Sequence, residues 1–385
     1  MIKQEINELK RLYTPSNCSI TRICGCYVDG EKNKKTEFKE AFLSLPEEEI
    51  FKYFELLRKT LSGSLGKNLL NLDFPLASEQ EGGTQAALLA LRDSKLKDDA
   101  LIEEFYDRVI NTYEYVGNYL ILLIHDAYDV PGKTTDGLTM DDASDTVFEY
   151  IMCCICPVNL SKPGLSYDNI NNEFHNRIRD WVVEMPETGF LFPSFNDRAT
   201  DIHSTLFYSK NPEEAHSEFV ENILGCTLPL SAGTQKEAFQ ALIEETLGDE
   251  VEYEVVKNIH ENLTEMIEEH KEIPEPLTLD KHQVKSLFEK SGVKEEKLTD
   301  FDKLYDAAAG EDTSLFVNNV ANVRTFEVKT PDVVVKVNPE RADLVNTLQI
   351  DGKRCLVIEI NDHVEVNGIT IHQSVSLEDV ADEEE

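Results

Sequence analysis

Five residues stand out as able to do chemistry together: His125, Asp126, Asp129, Asp201 and His203. The first three fall where the apolar run "YLILLI" gives way to acids, and the last two stand two apart at the entry to a predicted strand. Carboxylates and imidazoles gathered at strand ends can hold a divalent ion, Asp through hard oxygen and His through nitrogen, and can activate a water for hydrolysis. On this reading the protein is a metal-dependent hydrolase. Its weakness is that no H-E-x-x-H or comparable spacing backs it, and acids at strand ends are more often turn formers.

The cysteines offer a second chemistry. In "TRICGCYVDGE" Cys24 and Cys26 lie two apart on a predicted strand, so both thiols project to one face. With Cys18 nearby and Cys153, Cys154 and Cys156 on another strand, a four-thiolate zinc site drawn from Cys18, Cys24, Cys26 and Cys154 can be constructed. Structural zinc prefers C-x₂-C pairs on tight knuckles, whereas C-x-C on a strand aims its sulfurs poorly at one tetrahedron. Free cysteine is also among the most buried residue types. Packing is therefore the expected role, with no metal ligand and no cofactor assigned; a divalent ion at the His/Asp set would be the exception.

Three further motifs are incomplete. "AYDVPGKTT" at 127–135 lacks the first glycine of a phosphate-binding loop, and Asp129 would sit among the phosphates. No G-x-S-x-G elbow supports a serine hydrolase, and "CCIC" does not follow a βαβ pattern as a thioredoxin-like site would. "GFLFPSFNDRATDIHS" combines an exposed-looking aromatic run with Asp197 and Arg198 in a hairpin loop. It reads either as a binding loop or as a hairpin held by an ion pair from Arg198 to Asp197 or Asp201, which contributes little at a surface.

The elements that must position these residues follow from periodicity. Ile6, Leu9 and Leu12 predict a helix that Pro15 stops, and a hairpin follows from Ser19 to Val28, through Asp29-Gly30, to Thr36–Phe38. Helices are predicted at about 46–61, 83–92 and 97–114, then a buried strand in "GNYLILLIHDAYDV". Four more strand segments lie between Phe148 and Tyr208, and the whole reads as one mixed sheet with helices upon it. After Cys226 "LPLSAG" reads as a linker and "TQKE" as a capping box with Thr234 as the cap, opening a helical hairpin; Asp280 caps a later helix that Gly292 ends. From Phe326 the period becomes 2, predicting one small antiparallel sheet of about five strands with turns at Asp351-Gly352 and Asn367-Gly368. The expected fold class is α+β: a mixed α+β domain over 1–228, a helical segment over 229–310, a small antiparallel β domain over 311–372, and a disordered acidic tail over 373–385.

Charge narrows the function. Of 385 residues 74 are acidic and 37 basic, a formal net charge of -37. Such a field repels phosphate backbones and anionic lipid, so direct nucleic-acid or membrane binding is not expected, while a basic protein or ribonucleoprotein partner, or mimicry of nucleic acid, would suit it. The N-terminal "MIKQEINELKRLYTPSN" alternates charge without an apolar core, and the longest aliphatic run is far short of the ~20 residues that span a bilayer. A cytoplasmic protein is expected, with thiols rather than disulfides.

Long segments carry a family resemblance: "TRICGCYVDGEKN", "KTLSGSLGKNLL", "LLALRDSKLKDDALI", "YVGNYLILLIHDAYDVP", "CPVNLSKPGL", "IRDWVVEMPETGFLFPSFNDRATDIHSTLFY" and "FEVKTPDVVVKVNPE". The chain resembles domain-of-unknown-function family 4317 over nearly its whole length, short of the acidic tail. The resemblance implies a bacterial cytosolic protein of anaerobic Gram-positive organisms, encoded as one unit, and carries over no activity, cofactor or catalytic residue. The leading expectation is a non-enzymatic interaction or regulatory protein, with the hydrolase and the nucleic-acid mimic as alternatives.

Overall fold

The computed structural model describes residues 1–133, 139–248, 251–322, 324–360, 364–366 and 369–371. The acidic tail over 373–385 and the Asn367-Gly368 turn lie outside them.

Helix α1 (Lys3–Leu12) buries Ile6, Leu9 and Leu12 on one stripe, as their spacing requires. The hairpin of β1 (Ile20–Val28) and β2 (Lys34–Glu40) follows, then α2 (Glu47–Thr60), a short strand β3 (Leu69–Asp73), α3 (Thr84–Asp93) and α4 (Asp99–Thr112). The Asp98 side chain opens α4 by accepting from the Ala100 N–H at 2.9 Å. Two long strands, β4 (Asn118–Lys133) and β5 (Thr139–Leu160), then pair antiparallel, and the truncated phosphate-loop motif lies along β4, its last residues outside the described set.

Beyond β5 the chain leaves the sheet as the hairpin β6 (Leu165–Asp168) and β7 (Glu173–Asn176), then pairs again with the end of β5 as β8 (Trp181–Val183). It returns through β9 (Thr188–Phe192), a two-residue hairpin of β10 (Ser194–Asn196) and β11 (Ala199–Asp201), and β12 (Ser204–Ser209). The main sheet has the order β2-β1-β4-β5-β9-β12-β3, with β8 added on β5. A mixed sheet is the expectation from sequence; every described pairing between strands of this sheet is antiparallel, because the helices are excursions between strands and not right-handed crossovers between parallel neighbours.

The sheet is covered on both faces. Leu120, Leu122, Ile124, Tyr150 and Met152 pack with α1 and α2, whereas Ile121, Leu123, Ile151 and Ile155 pack with α3, α4 and the short α5 (Ser217–Phe219), which runs into a π-helical turn at Val220–Leu224. Each fully buried aliphatic side chain contributes about 1.5–3 kcal/mol, so the double burial of β4 and β5 dominates this region's stability.

A third core is helical: α6 (Ala232–Leu247), α7 (Tyr253–Glu269), the two-residue strand β13 (Thr278–Leu279), α8 (Lys281–Lys290), α9 (Phe301–Ala309), β14 (Leu315–Phe316) and α10 (Val317–Val320) share buried Phe239, Leu242, Ile259, Phe288 and Phe301. Asp280 caps α8 in a reciprocal box with Gln283. The cap of α6 is Ser231 and not Thr234: the Ser231 hydroxyl accepts from the Thr234 N–H at 3.1 Å, and Glu213 accepts from the Gly233 N–H at 2.9 Å. An acceptor already in place at Ser231 starts the helix three residues earlier than the box motif suggested.

The C-terminal strands form three separate two-stranded ladders: β15 (Phe326–Lys329) with β16 (Val334–Val337), β17 (Val345–Ile350) with β18 (Lys353–Ile358), and β19 (Val364–Val366) with β20 (Ile369–Ile371). One sheet of about five strands was expected. These strands are short, and among their described residues only Val345 is buried, so no shared buried face holds the ladders edge to edge. Among the described residues no helix is long and apolar enough to cross a membrane.

Helix α2 presses on the sheet at Gly189 of β9. A Cβ there would stand 2.4 Å from the Cys153 carbonyl oxygen and 2.8 Å from Thr60 Cγ2. Gly189→Ala is expected to cost about 2 kcal/mol or more by overpacking; an unchanged urea midpoint would show that this contact is not tight.

Candidate functional site

Period-2 geometry separates the predicted His/Asp set. His125 and Asp126 are neighbours on β4, so their side chains leave opposite faces of the sheet. On one face, His125 is fully buried and its Nδ1 lies 2.7 Å from the Thr21 hydroxyl. Its Nε2 is buried without a hydrogen-bond partner, the nearest carboxylate oxygen, from Glu149, being 4.0 Å away. Burial pushes this imidazole down to about 4 against the pull of Glu149, so it is neutral near pH 7.

Asp126 faces the other core. Its Oδ2 accepts from the Tyr150 hydroxyl at 2.6 Å, its Oδ1 accepts from the Ala127 N–H at 2.8 Å, and Tyr150 is itself 3.0 Å from the Tyr13 hydroxyl. Burial raises the Asp126 carboxyl, and those hydrogen bonds oppose the rise. The result is a closed Tyr13–Tyr150–Asp126 network in the interior. Tyr13 and Tyr150, both fully buried, were invisible in the sequence because a phenol next to an acid leaves no spacing signature.

The remaining members lie at the surface. Asp129 is exposed. Asp201 accepts from Asn196 Nδ2 at 2.6 Å, from the Ser204 hydroxyl at 2.9 Å and from the His203 N–H at 3.0 Å, which makes it a turn cap. Burial alone would raise its carboxyl; those bonds outweigh it and the net shift is downward. His203 is exposed, with Nδ1 2.5 Å from Glu79 Oε1. Among the described residues, no hydrogen bond or ion pair joins His125, Asp126 or Asp129 to Asp201 or His203.

The aromatic run before the hairpin loop is buried, not exposed: Phe190, Phe192 and Phe195 have no accessible surface, because β9 and β10 lie inside the two cores. Asp197 and Arg198 do occupy the hairpin turn, with φ of 51° and 56°. The predicted ion pair is different. Arg198 reaches Glu8 on α1, Nη2 to Oε1 at 2.9 Å and Nε to Oε2 at 3.2 Å, while Tyr128 donates to the same carboxylate at 2.9 Å. A two-residue turn with both φ positive resembles a type I′ hairpin, and the bidentate clamp holds it in a conformation that Asp and Arg adopt reluctantly.

The sheet also divides the thiols. Cys24, Cys26 and Cys153 belong to the core beside α4, whereas Cys154, Cys156 and the half-buried Cys18 belong to the core beside α1 and α2. All eight cysteines are free. Burial raises Cys26 and Cys154 to about 12 and Cys18 to about 11, so these sulfurs are neutral thiols near pH 7. Among the described residues no group of three or more His, Cys, Asp or Glu could hold a metal ion.

One surface feature corresponds to no motif in the sequence. Between β5 and β9 the chain projects as an arm in which Leu165, Ile170, Phe174 and Ile178 are 71–85% exposed and Trp181, the sole tryptophan, is 55% exposed. The arm is nonetheless tied down. Asp168 caps its tip through the Ile170 N–H at 2.8 Å, Arg177 N–H donates to the Gly164 carbonyl at 2.9 Å, and Arg179 Nε donates to the Ser161 carbonyl at 2.7 Å. Tyr167 and Phe174 meet across β6 and β7 with rings tilted at 49° and centroids 5.2 Å apart. The apolar letters of "GLSYDNINNEFHNRIRDWVV" could have signalled it, but they follow neither a helical nor a strand period for long.

The family model described as a domain of unknown function (DUF4317) matches residues 1–369, and the chain belongs to that family. No curated protein matches it.

The buried imidazole generates a pH prediction. With its folded pKa near 4, below the ordinary 6.5, His125 takes up a proton in the unfolded chain first, so stability falls as pH drops from about 6.5 toward 4, by up to about 3 kcal/mol. Urea unfolding at pH 7 and pH 5 should show wild type losing about 2 kcal/mol more than His125→Gln. Equal losses would mean that the imidazole is not desolvated.

Proposed function

We propose that this protein is a non-catalytic docking protein of the bacterial cytoplasm, that its contact surface is the arm between β5 and β9, and that its partner is a basic protein, free or within a ribonucleoprotein. The observation that carries this reading is an arm ordered by backbone hydrogen bonds yet exposing Leu165, Ile170, Phe174, Ile178 and Trp181. Pre-ordered apolar and aromatic groups anchor interfaces because little conformational entropy is lost when they are covered. Charge selects the partner: a chain of net charge -37 attracts a cationic surface and repels a second copy of itself. Eight free thiols suit a reducing compartment. The hydrolase and mimic readings draw no comparable support from the geometry.

The test is affinity capture with wild type and with the double variant Phe174→Ser, Ile178→Ser, at about 0.05 and 0.3 M salt, where screening weakens surface attraction. Expected is a basic partner lost on substitution and weakened by salt, whose purified form shifts Trp181 emission to the blue. Partners indifferent to the arm, or light scattering that shows the arm buried in a homodimer, would overturn the reading.

A further inference from the structure

In a chain with two acids per base, one cavity has no carboxylate in its wall. It measures about 760 Å³ and lies where α1 and the 61–67 loop meet the helical segment. Its cations are Lys3 and Lys10 from α1, Lys67 from the loop, and Arg324 from beyond α10; Asn7 and Asn322 add amides. Among the described residues none of these four cations forms an ion pair.

The arrangement is set by packing. Lys3, Asn7 and Lys10 recur at i, i+4 and i+7, one face of α1, while Glu5 and Glu8 point to the Arg198 hairpin. The loop is pinned to the helical segment: Asn319 Nδ2 donates to the Gly66 carbonyl at 2.9 Å, and a Cβ on Gly66, whose φ is +75°, would stand 2.4 Å from the Phe316 ring. Lys10 donates to the Ser62 hydroxyl at 2.8 Å, and its ammonium is depressed first by burial and then by Arg58 and Lys59. Among the described residues, these cations thus share a wall with no carboxylate and with no ion pair to neutralise them.

We propose that this cavity binds a small phosphorylated metabolite carrying at least two negative charges. Four cations and side-chain amides lining one cavity suit phosphate oxygens. The volume exceeds what phosphate alone needs, and Ile6, Leu61 and Pro276 offer apolar wall to an organic body. The chain's overall field repels anions elsewhere, so occupancy is confined to this cavity.

Calorimetric titration of the full chain with inorganic phosphate, pyrophosphate and ATP, at about 0.1 M salt without divalent ions, tests it. Expected is saturable binding of one pyrophosphate or ATP per chain, tighter than phosphate. Lys10→Gln or Lys67→Gln should each weaken it about tenfold, and the double variant by fifty-fold or more, roughly the loss of one charge-assisted bond per lysine. Lys52→Gln, which removes a lysine paired with Glu55 on α2, should change nothing. Circular dichroism establishes that each variant is folded. No saturable binding of any of the three anions, or binding that the Lys10→Gln, Lys67→Gln double variant leaves intact, would overturn the proposal and leave the arm's role untouched.

Discussion

Pairing of β4 with β5, buried on both faces, is the constraint from which the rest of the molecule follows. An antiparallel ladder sends alternate side chains to opposite sides, and here each side is a core with its own helices. A residue's parity on these strands therefore decides its company. His125 and Ile151 go one way and Asp126 and Tyr150 the other, and the adjacent thiols of Cys153 and Cys154 part in the same manner. Groups that look like a cluster when written in a line are held on two sides of a sheet by hydrogen bonds that cannot slip one residue without sending every buried side chain, polar ones included, into the opposite core.

That same alternation explains how much of the fold was legible. Helices α1 to α4, the β1–β2 hairpin and β4 carry unbroken periodicity, and their predicted limits agree with the structure within about three residues. The α+β class with a helical centre and small C-terminal antiparallel ladders was legible for the same reason. Strand β3 was not, because a five-residue Leu-rich run fits a helix as well as a strand, and its pairing with β12 is a long-range fact that no local pattern contains. The separation of the C-terminal strands was also hidden: alternation predicts that a strand exists, not that its neighbours have enough apolar face to join it.

The candidate site was less legible than the fold, and the reason is again long range. Arg198 has two acids within three residues, Asp197 and Asp201, and the sequence offers either as its partner. In the structure its partner is Glu8, which sequence distance makes unguessable and which the packing of α1 beside β10 makes unavoidable. The arm escaped for the opposite reason. Exposed apolar residues break the rule by which an apolar letter is read as core, so a surface built from them is invisible to any reading that starts from burial.

Helix α1 shows how one short element can hold a strongly acidic chain together and still leave room for cations. Its apolar stripe docks on the sheet, and its Glu5 and Glu8 flank clamps a hairpin turn that carries an arginine. Those acids are satisfied locally and do not reach the Lys3 and Lys10 flank. A helix sorts charge by angle, so opposite signs two residues apart, as in Lys3 and Glu5 or Glu8 and Lys10, face different neighbours without neutralising each other. This sorting, and not any local excess of lysine, lets a carboxylate-free wall form in a protein whose acids outnumber its bases two to one.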